Sequence, residues 1–170
     1  MSDDMPAEPE ASRPSMPPQY GILGPTEGKG LLPWTWATER LSRSRGYWLA
    51  TTRPDGCPHM AVVWGIWSHD TFYFFTITGS RKARNLEANP RCVVCPEHTD
   101  EAVIMEGVAE EVIDSTILKQ FKDAYATKYQ EEIDPAQSIT YGVRPIVVFG
   151  CISDPVDWSG TATRWRFRGA

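Results

Sequence analysis

The sequence has no long hydrophobic run. No apolar segment in its 170 residues approaches the roughly 20 residues that a helix needs to cross a bilayer. The first residues are acidic and polar, without the apolar core of a secretory signal. Positive charge is not in excess either, because the formal net charge is -5, which disfavours general binding to nucleic acid or to an anionic membrane. We therefore expect a cytoplasmic protein and interpret its Arg/Lys clusters as local sites.

The chain has four cysteines, and their pattern indicates neither a metal cluster nor a disulfide framework. Cys92 and Cys95 have C-x-x-C spacing but fall within a predicted strand. Residues three apart on a strand point to opposite faces, so this pair is not placed to share a metal or to form an easy disulfide. No second C-x-x-C and no His pair follows. We expect buried, reduced thiols and no metal site.

The glycine-rich phosphate motifs are absent as well. Neither G-x-G-x-x-G nor a P-loop occurs, and strands do not alternate regularly with helices as in a Rossmann sheet. Six or seven strand-like segments, joined mostly by short turns, accompany two or three helices. The segments are residues 47–53, 60–67, 72–78, 91–97, 102–113, 143–151 and 161–167. This pattern predicts a mainly β fold, an antiparallel barrel with helices packed at its ends.

The first 28 residues differ in composition from the rest. Half of the 14 prolines fall within residues 1–33, and residues 1–15 contain almost no large apolar side chain. Such a segment cannot bury enough surface to offset its ordering entropy. We predict a disordered, Pro-rich acidic tail over residues 1–28 and one domain over residues 29–170. A helix is predicted from Asp114 or Ser115 to about Tyr129.

The segment most informative about function joins the strand over residues 72–78 to a helix. Ser80 is a good N-cap, and Arg81, Lys82 and Arg84 follow within the first helical turn. A helix N-terminus carries partial positive charge, so cations there are unfavourable unless an anion is bound. Backbone N–H groups, a serine hydroxyl and Arg/Lys side chains are the parts of a phosphate site. A solvated helix end is the alternative interpretation.

Taken together, these segments resemble the pyridoxamine 5′-phosphate oxidase-like, flavin-binding split-barrel superfamily. Within it, the chain is most similar to the actinobacterial flavin and deazaflavin (coenzyme F-420) oxidoreductases. The resemblance covers about residues 31–168 and rests on the order and spacing of several motifs. The motifs are residues 48–59, Val63-Trp64, Phe74-Phe75-Thr76, residues 80–86, Asn89-Pro90-Arg91 and residues 163–167.

The resemblance implies a six-stranded antiparallel split β-barrel that forms a homodimer, with a cofactor in each cleft between the subunits. It assigns the cofactor phosphate to Ser80, Arg81 and Lys82. Contacts from the strands fall to Val62, Val63, Trp64, Phe75, Thr76 and Thr78. Asn85 is typical of the deazaflavin-type members at its position.

Several roles stay open at this stage. Trp64 and Phe75 either shield the cofactor ring or pack in the barrel core. Arg164 and Trp165 either reach the partner subunit's cofactor or form a cation–π pair within one subunit. His59 is a weak candidate for a proton donor to substrate, with a structural or surface role as the alternative.

The implied activity is that of an oxidoreductase whose cofactor carries the hydride. FMN ends in one phosphate, whereas F-420 has an internal phosphodiester and a polyglutamate tail that need a longer basic groove. Arg84, Arg91, Arg53 or the Arg43/Arg45 pair would extend the patch. This favours hydride transfer from reduced F-420 to a small unsaturated substrate. The alternatives are an FMN-dependent oxidase or reductase, and a non-catalytic protein that sequesters a flavin, F-420 or haem.

Overall fold

The computed structural model describes residues 8–167, which form a mainly β fold with antiparallel strands, as the sequence predicts. The strands in this range are β1 (Glu10–Ser12), β2 (Tyr47–Thr52), β3 (Pro58–Val63), β4 (Gly65–Ser68), β5 (Thr71–Ile77), β6 (Arg91–Pro96), β7 (Glu101–Glu111), β8 (Ser138–Ile152) and β9 (Thr163–Arg166). The α-helices are α1 (Trp34–Arg43), α2 (Arg81–Ala88), α3 (Ser115–Tyr129) and α4 (Trp158–Thr161). None of these helices is long and apolar enough to span a membrane.

The strands form one sheet arranged around the long strands β7 and β8. The order along the sheet is β1-β9-β8-β7-β6-β2-β3, and the hairpin of β4 and β5 joins it through β5, which pairs with β8. Within the described residues β3 and β4 do not pair with each other, so the sheet is not closed. This arrangement is consistent with the split barrel that the sequence predicts.

The core follows the two-residue period of the strands. Alternate side chains of β2, β5 and β7 are buried, whereas their neighbours face the other side of the sheet. Helix α1 closes one end of this core through Trp34, Ala37 and Leu41. The Trp34 ring packs edge-on against Trp165 of β9, with 5.6 Å between the ring centroids.

The predicted helix over residues 115–129 is confirmed as α3. Asp114 caps it by accepting hydrogen bonds from two backbone N–H groups, at 2.8 and 3.0 Å. The buried side chains Phe121, Tyr125 and Tyr129 form a second, smaller apolar cluster with residues of β4 and β5. Helix α3 therefore packs on the strand that leads directly into α2.

The seven predicted strand segments become nine strands, more than the six expected for the barrel. The segment over residues 60–67 divides into β3 and β4 at Trp64, and β1 adds another strand. Gly65 lies so close to the Phe72 ring that a Cβ there would clash with it. The backbone N–H of Gly65 donates to the Tyr129 hydroxyl at 3.0 Å rather than to a neighbouring strand. The division at Trp64 is therefore fixed by tertiary contacts.

Part of the segment predicted as a tail contacts the rest of the chain in the structure. Residues 1–7 lie outside the described residues, but β1 pairs with β9. The Arg13 guanidinium donates to the carbonyl oxygens of Gly24, Gly160 and Ala162, at 3.0, 3.0 and 2.8 Å. Residues 8–28 contain few large apolar side chains, and their contacts with the domain include backbone hydrogen bonds and this arginine.

The cysteines of the C-x-x-C pair lie on β6, at positions of alternating burial, as the sequence predicts. Burial raises the pKa of the Cys92 thiol to about 12, because desolvation disfavours the thiolate. Cys57, Cys92, Cys95 and Cys151 are all free thiols. In residues 8–167 no group of three or more His, Cys, Asp or Glu side chains is arranged to hold a metal ion.

Candidate functional site

The candidate site lies where β5 ends and α2 begins. The chain reverses over residues 77–80, and the Ser80 N–H donates to the Ile77 carbonyl oxygen at 3.0 Å. Gly79 has a φ of 73°, in the left-handed region that favours glycine. This tight turn fixes the direction of α2 relative to β5.

Ser80 caps α2, as the sequence predicts. Its Oγ accepts a hydrogen bond from the Ala83 N–H at 3.3 Å and lies 3.0 Å from Oγ1 of the buried Thr76. When Thr76 donates the second bond, the Ser80 hydroxyl proton is free for a ligand. The N–H groups of Arg81 and Lys82 have no acceptor inside the helix, because the first turn lacks them. Three hydrogen-bond donors therefore converge at this helix end.

The first turn of α2 concentrates positive charge without compensation. It contains no acidic residue, and Arg81, Lys82 and Arg84 form no ion pair with any residue in 8–167. Burial lowers the pKa of Lys82, because desolvation disfavours the ammonium form. A bound anion would offset the cost of this desolvation and the repulsion between these cations and the helix dipole.

A cavity of about 230 Å³ opens beside Lys82. It brings together six of the predicted cofactor residues: Val62, Val63, Trp64, Phe75, Thr76 and Lys82. Ile77 and Tyr125 complete the lining and were missed from the sequence. Tyr125 belongs to the apolar stripe of α3, and core packing explains that stripe equally well. The sequence alone does not indicate that Tyr125 lines the cavity, because its place there depends on the packing of α3 on β5.

Asn85 and Thr78, two further predicted cofactor residues, lie outside this cavity. Asn85 is only 1% exposed, and its Nδ2 donates to Thr51 Oγ1 at 2.9 Å. It ties α2 to β2 inside the domain. Thr78 lies in the exposed turn, where its backbone N–H donates to the Gln137 carbonyl oxygen at 3.0 Å.

Arg164 and Trp165 lie on β9, also outside the cavity. Trp165 is fully buried against Trp34, and Nη2 of Arg164 donates to Ser12 Oγ at 3.1 Å. They form no cation–π pair with each other, although such pairs occur elsewhere in the described residues. His59 lies on β3 with its Nδ1 3.4 Å from Thr51 Oγ1, and it does not line the cavity either.

Most of the cations expected to lengthen the basic groove are engaged elsewhere. Arg43, Arg45 and Arg53 respectively contact the Glu101 carboxylate at 2.8 Å, the Lys128 carbonyl oxygen at 2.9 Å and the Asp55 carboxylate at 3.8 Å. Arg91 lines a different cavity. Of this set, Arg84 is the exposed cation that stands on α2 with Lys82.

That second cavity, of about 540 Å³, is larger than the one beside Lys82. Its wall includes Arg144 and Glu110, which pair with each other and so largely cancel in charge. It contains no residue of α2. We place the candidate site at the smaller cavity, because a partly desolvated, unpaired cation beside a helix N-terminus is a stronger indication of a ligand than volume.

One face of the sheet exposes a band of apolar side chains. A row of paired residues crosses six strands: Met60, Ala50, Val93, Glu106, Val147 and Arg166. Beside it lie Trp48, Val62 and Ile104, which are 45%, 54% and 42% exposed. Val62 belongs both to this exposed face and to the lining of the cavity. The cavity therefore opens at the edge of the apolar face.

Comparison with known families agrees with this geometry. The family profile described as pyridoxamine 5′-phosphate oxidase matches residues 37–148, which include the cavity and the α2 N-terminus. The chain belongs to the pyridoxamine 5′-phosphate oxidase family. Among proteins with curated descriptions, none matches the sequence.

Solved structures of other pyridoxamine 5′-phosphate oxidase-like proteins share the fold. An F-420 reductase is 26% identical, with a TM-score of 0.54 over 65% of this chain and 93% of its own. A FAD-binding protein from Mesorhizobium loti is 20% identical, with a TM-score of 0.58 over 78% and 93%. A haem storage protein from Vibrio cholerae is 18% identical, with a TM-score of 0.55 over 63% and 85%. The family fold thus serves proteins with different bound groups.

The residues of this pyridoxamine 5′-phosphate oxidase family member fit a phosphate-bearing group. Ser80 supplies a hydroxyl, the first turn of α2 supplies free N–H groups, and Arg81 and Lys82 supply charge. The adjoining cavity wall, with Val62, Trp64 and Phe75, is apolar and aromatic. An anionic group at one end and an apolar wall at the other match an amphipathic ring cofactor.

Proposed function

We propose that the chain is an oxidoreductase that binds a flavin-type cofactor through the N-terminus of α2. In the favoured case the cofactor is reduced F-420, which passes a hydride to a small unsaturated organic substrate. The proposal rests on the position of Lys82. This unpaired and partly desolvated cation lies in the wall of a cavity formed by β3, β5 and α2. The similarity to an F-420 reductase and the fold shared with a FAD-binding protein support it.

The residues at the α2 N-terminus would anchor the cofactor, and residues of the cavity wall would shield it. Ser80, Arg81 and Lys82 would hold the phosphate, because they combine hydrogen-bond donors with charge at a helix N-terminus. Trp64 and Phe75 would exclude water from one side of the ring, which keeps the environment around the reacting atoms apolar. The bound cofactor supplies the hydride, and the protein binds and orients it.

FMN is the second candidate cofactor, and a specific observation favours it. Arg43, Arg45 and Arg53 contact other parts of the domain, which leaves a shorter basic groove than the sequence predicts. A cofactor with one terminal phosphate needs no more than Ser80, Arg81 and Lys82. Arg84 is the residue that separates the two candidates, since it adds a further cation on α2 for the longer F-420 tail.

We further propose that two copies associate through the apolar sheet face, which would place the cofactor cavity at the subunit interface. Contiguous exposed apolar side chains often mark association surfaces, and Val62 joins the face to the cavity. Sedimentation equilibrium tests this. We expect Trp48→Asp and Ile104→Asp to give monomers, whereas Ile113→Asp, at a position 84% exposed outside the face, leaves a dimer. A monomeric wild type would contradict the proposal.

Titration of the purified protein, followed by visible absorption, tests the proposed function. FMN, F-420 and haem are added separately, and reduced F-420 or FMN is then offered with a panel of unsaturated acceptors. We expect saturable binding of F-420 or FMN and oxidation of the reduced cofactor that depends on an acceptor. Tight binding without turnover would instead favour a carrier, and failure of both flavin-type cofactors to bind would refute the proposed function.

A further inference from the structure

Trp64 is held at the cavity wall from behind. It is the one residue between β3 and β4, its side chain is 45% exposed, and it lines the cofactor cavity. Its indole stacks on the Tyr129 ring, with 5.4 Å between centroids and 9° between planes. The orientation of this cavity wall therefore depends on the last residue of α3.

Two neighbouring residues at the end of α3, Lys128 and Tyr129, form hydrogen bonds with the backbone next to Trp64. The Tyr129 hydroxyl accepts from the Gly65 N–H at 3.0 Å and lies 2.9 Å from the Gly65 carbonyl oxygen. Lys128 Nζ donates to the same carbonyl oxygen at 3.2 Å. Both polar groups of the Gly65 backbone are thereby bound by one helix end.

Lys128 uses all three of its donors. Besides the Gly65 carbonyl, Nζ reaches the Ser42 carbonyl oxygen and the Tyr47 hydroxyl, each at 3.1 Å. It also lies 5.3 Å from the Tyr47 ring centroid and 5.4 Å from that of Tyr129. One ammonium group thus joins the end of α1, the start of β2 and the break between β3 and β4.

We propose that Lys128 is a positioning residue of the cofactor site, which sets the Trp64 indole against the bound cofactor by fixing Gly65 and Tyr129. This inference rests on the proposed function, because it concerns the same cavity. The ammonium form satisfies three acceptors at once, whereas the neutral amine has two N–H donors. Loss of a proton from Lys128 therefore releases one of the three groups and loosens the cavity wall.

The surroundings bring this change close to physiological pH. Burial, aided by the charge of Arg45, lowers the pKa of Lys128 to about 8, and Glu97 opposes the shift. The hydroxyls of Tyr47 and Tyr129 stay neutral in this range, because burial raises the pKa of both. Lys128 is accordingly the group in this cluster that titrates near pH 8, and the site is best formed below that pH.

Two substitutions of Lys128 test its hydrogen-bond donors and its titration. Lys128→Met keeps the stem but has no donor, and Lys128→Arg keeps donors and stays charged at every pH used. Lys119→Met is the matched control, since Lys119 is an exposed lysine of the same helix paired with Asp123. Each protein is titrated with FMN and with F-420 at pH 7 and pH 9. The near-ultraviolet circular dichroism of the cofactor-free protein is followed over the same range.

We expect wild type and Lys119→Met to bind about tenfold more weakly at pH 9 than at pH 7, the size of one lost hydrogen bond. Lys128→Arg should bind each cofactor with the same affinity at pH 7 and at pH 9. Lys128→Met should bind both cofactors weakly at both pH values. The aromatic dichroism of wild type should change with a midpoint near pH 8, and this change should be absent from Trp64→Phe.

The cofactor titrations test the proposed function, and the dichroism of the cofactor-free protein tests the role of Lys128 separately. Wild-type protein that binds neither cofactor at any pH refutes the proposed function, while the dichroism still reports on Lys128. Retention of the wild-type pH dependence in Lys128→Met, in binding or in dichroism, overturns the role of Lys128 and points to Lys82 instead. If Lys128→Met does not fold, the comparison of wild type with Lys128→Arg decides.

Discussion

Ser80 Oγ lies 3.0 Å from Thr76 Oγ1, and this contact joins the last buried residue of β5 to the first turn of α2. Thr76 is fixed by the sheet, so the strand determines where the capping hydroxyl stands. The same hydroxyl accepts from the Ala83 N–H. Strand, turn and helix thus form one unit, with the cavity beside Lys82 along one side.

Replacing Ser80 with alanine should affect both stability and cofactor binding. Loss of the cap should lower the free energy of unfolding by about 0.5–2 kcal/mol, and loss of a phosphate donor should weaken FMN or F-420 binding about tenfold. Asp114→Ala, which removes the cap of α3, is the control. It should lose similar stability in a urea titration and retain cofactor affinity. Equal loss of affinity in both variants would mean that Ser80 acts through stability alone.

Arg84→Glu should separate the two candidate cofactors. The substitution places a negative charge on α2 beside the site, so F-420 affinity should fall ten- to a hundredfold, with FMN affinity falling less. Arg43→Glu is the comparison, because Arg43 pairs with Glu101 away from the cavity, and it should leave both affinities within about twofold. Fluorescence titration measures the dissociation constants of both cofactors for the wild type and for each variant. Unchanged binding of both cofactors to Arg84→Glu would remove Arg84 from the site.

Asn85→Ala should behave as a core substitution. The buried Asn85 amide donates to Thr51 Oγ1, and its removal should lower the free energy of unfolding by about 1–3 kcal/mol. A double-mutant cycle with Thr51→Val should give a coupling energy of at least about 0.5 kcal/mol. Cofactor affinity should change little, since the side chain faces β2. A large and selective loss of F-420 affinity would instead assign Asn85 to the cofactor, as the family resemblance implies.

The stability of the protein should depend on pH through Lys128. Its pKa is about 8 in the folded protein, below the ordinary 10.5, so between these values the unfolded chain binds more protons than the folded one. The contribution of Lys128 to the free energy of unfolding therefore rises with pH over this window. Urea denaturation at pH 7.5 and pH 10 should show a smaller rise for Lys128→Met than for wild type. Identical rises in the two proteins would place the titration elsewhere.

The phosphate site proposed at the N-terminus of α2 could be inferred from the sequence because its chemistry is local. Ser80 and three cations follow one another within five residues, and the helix dipole makes the pattern informative without tertiary structure. The strand residues Val62 to Trp64 and Phe75 to Thr76 came from the family resemblance, and the cavity brings them together with Lys82.

The parts that were not predicted depend on contacts between distant segments. Tyr125 enters the lining only because α3 packs on β5, and the break at Trp64 depends on Gly65 meeting Phe72 and Tyr129. The ordered segment after residue 8 depends on pairing with β9, more than 150 residues later. Local patterns carry no information about such partners.

The most direct test of the account compares FMN with riboflavin, which has the same ring without the phosphate, in wild type and in Lys82→Met. The central claim is that the α2 N-terminus holds the cofactor phosphate. We expect wild type to bind FMN about a hundredfold more tightly than riboflavin, and this preference should fall at least about tenfold in Lys82→Met, with riboflavin affinity nearly unchanged. Equal affinity of wild type for FMN and riboflavin, or an undiminished preference in Lys82→Met, would contradict the claim.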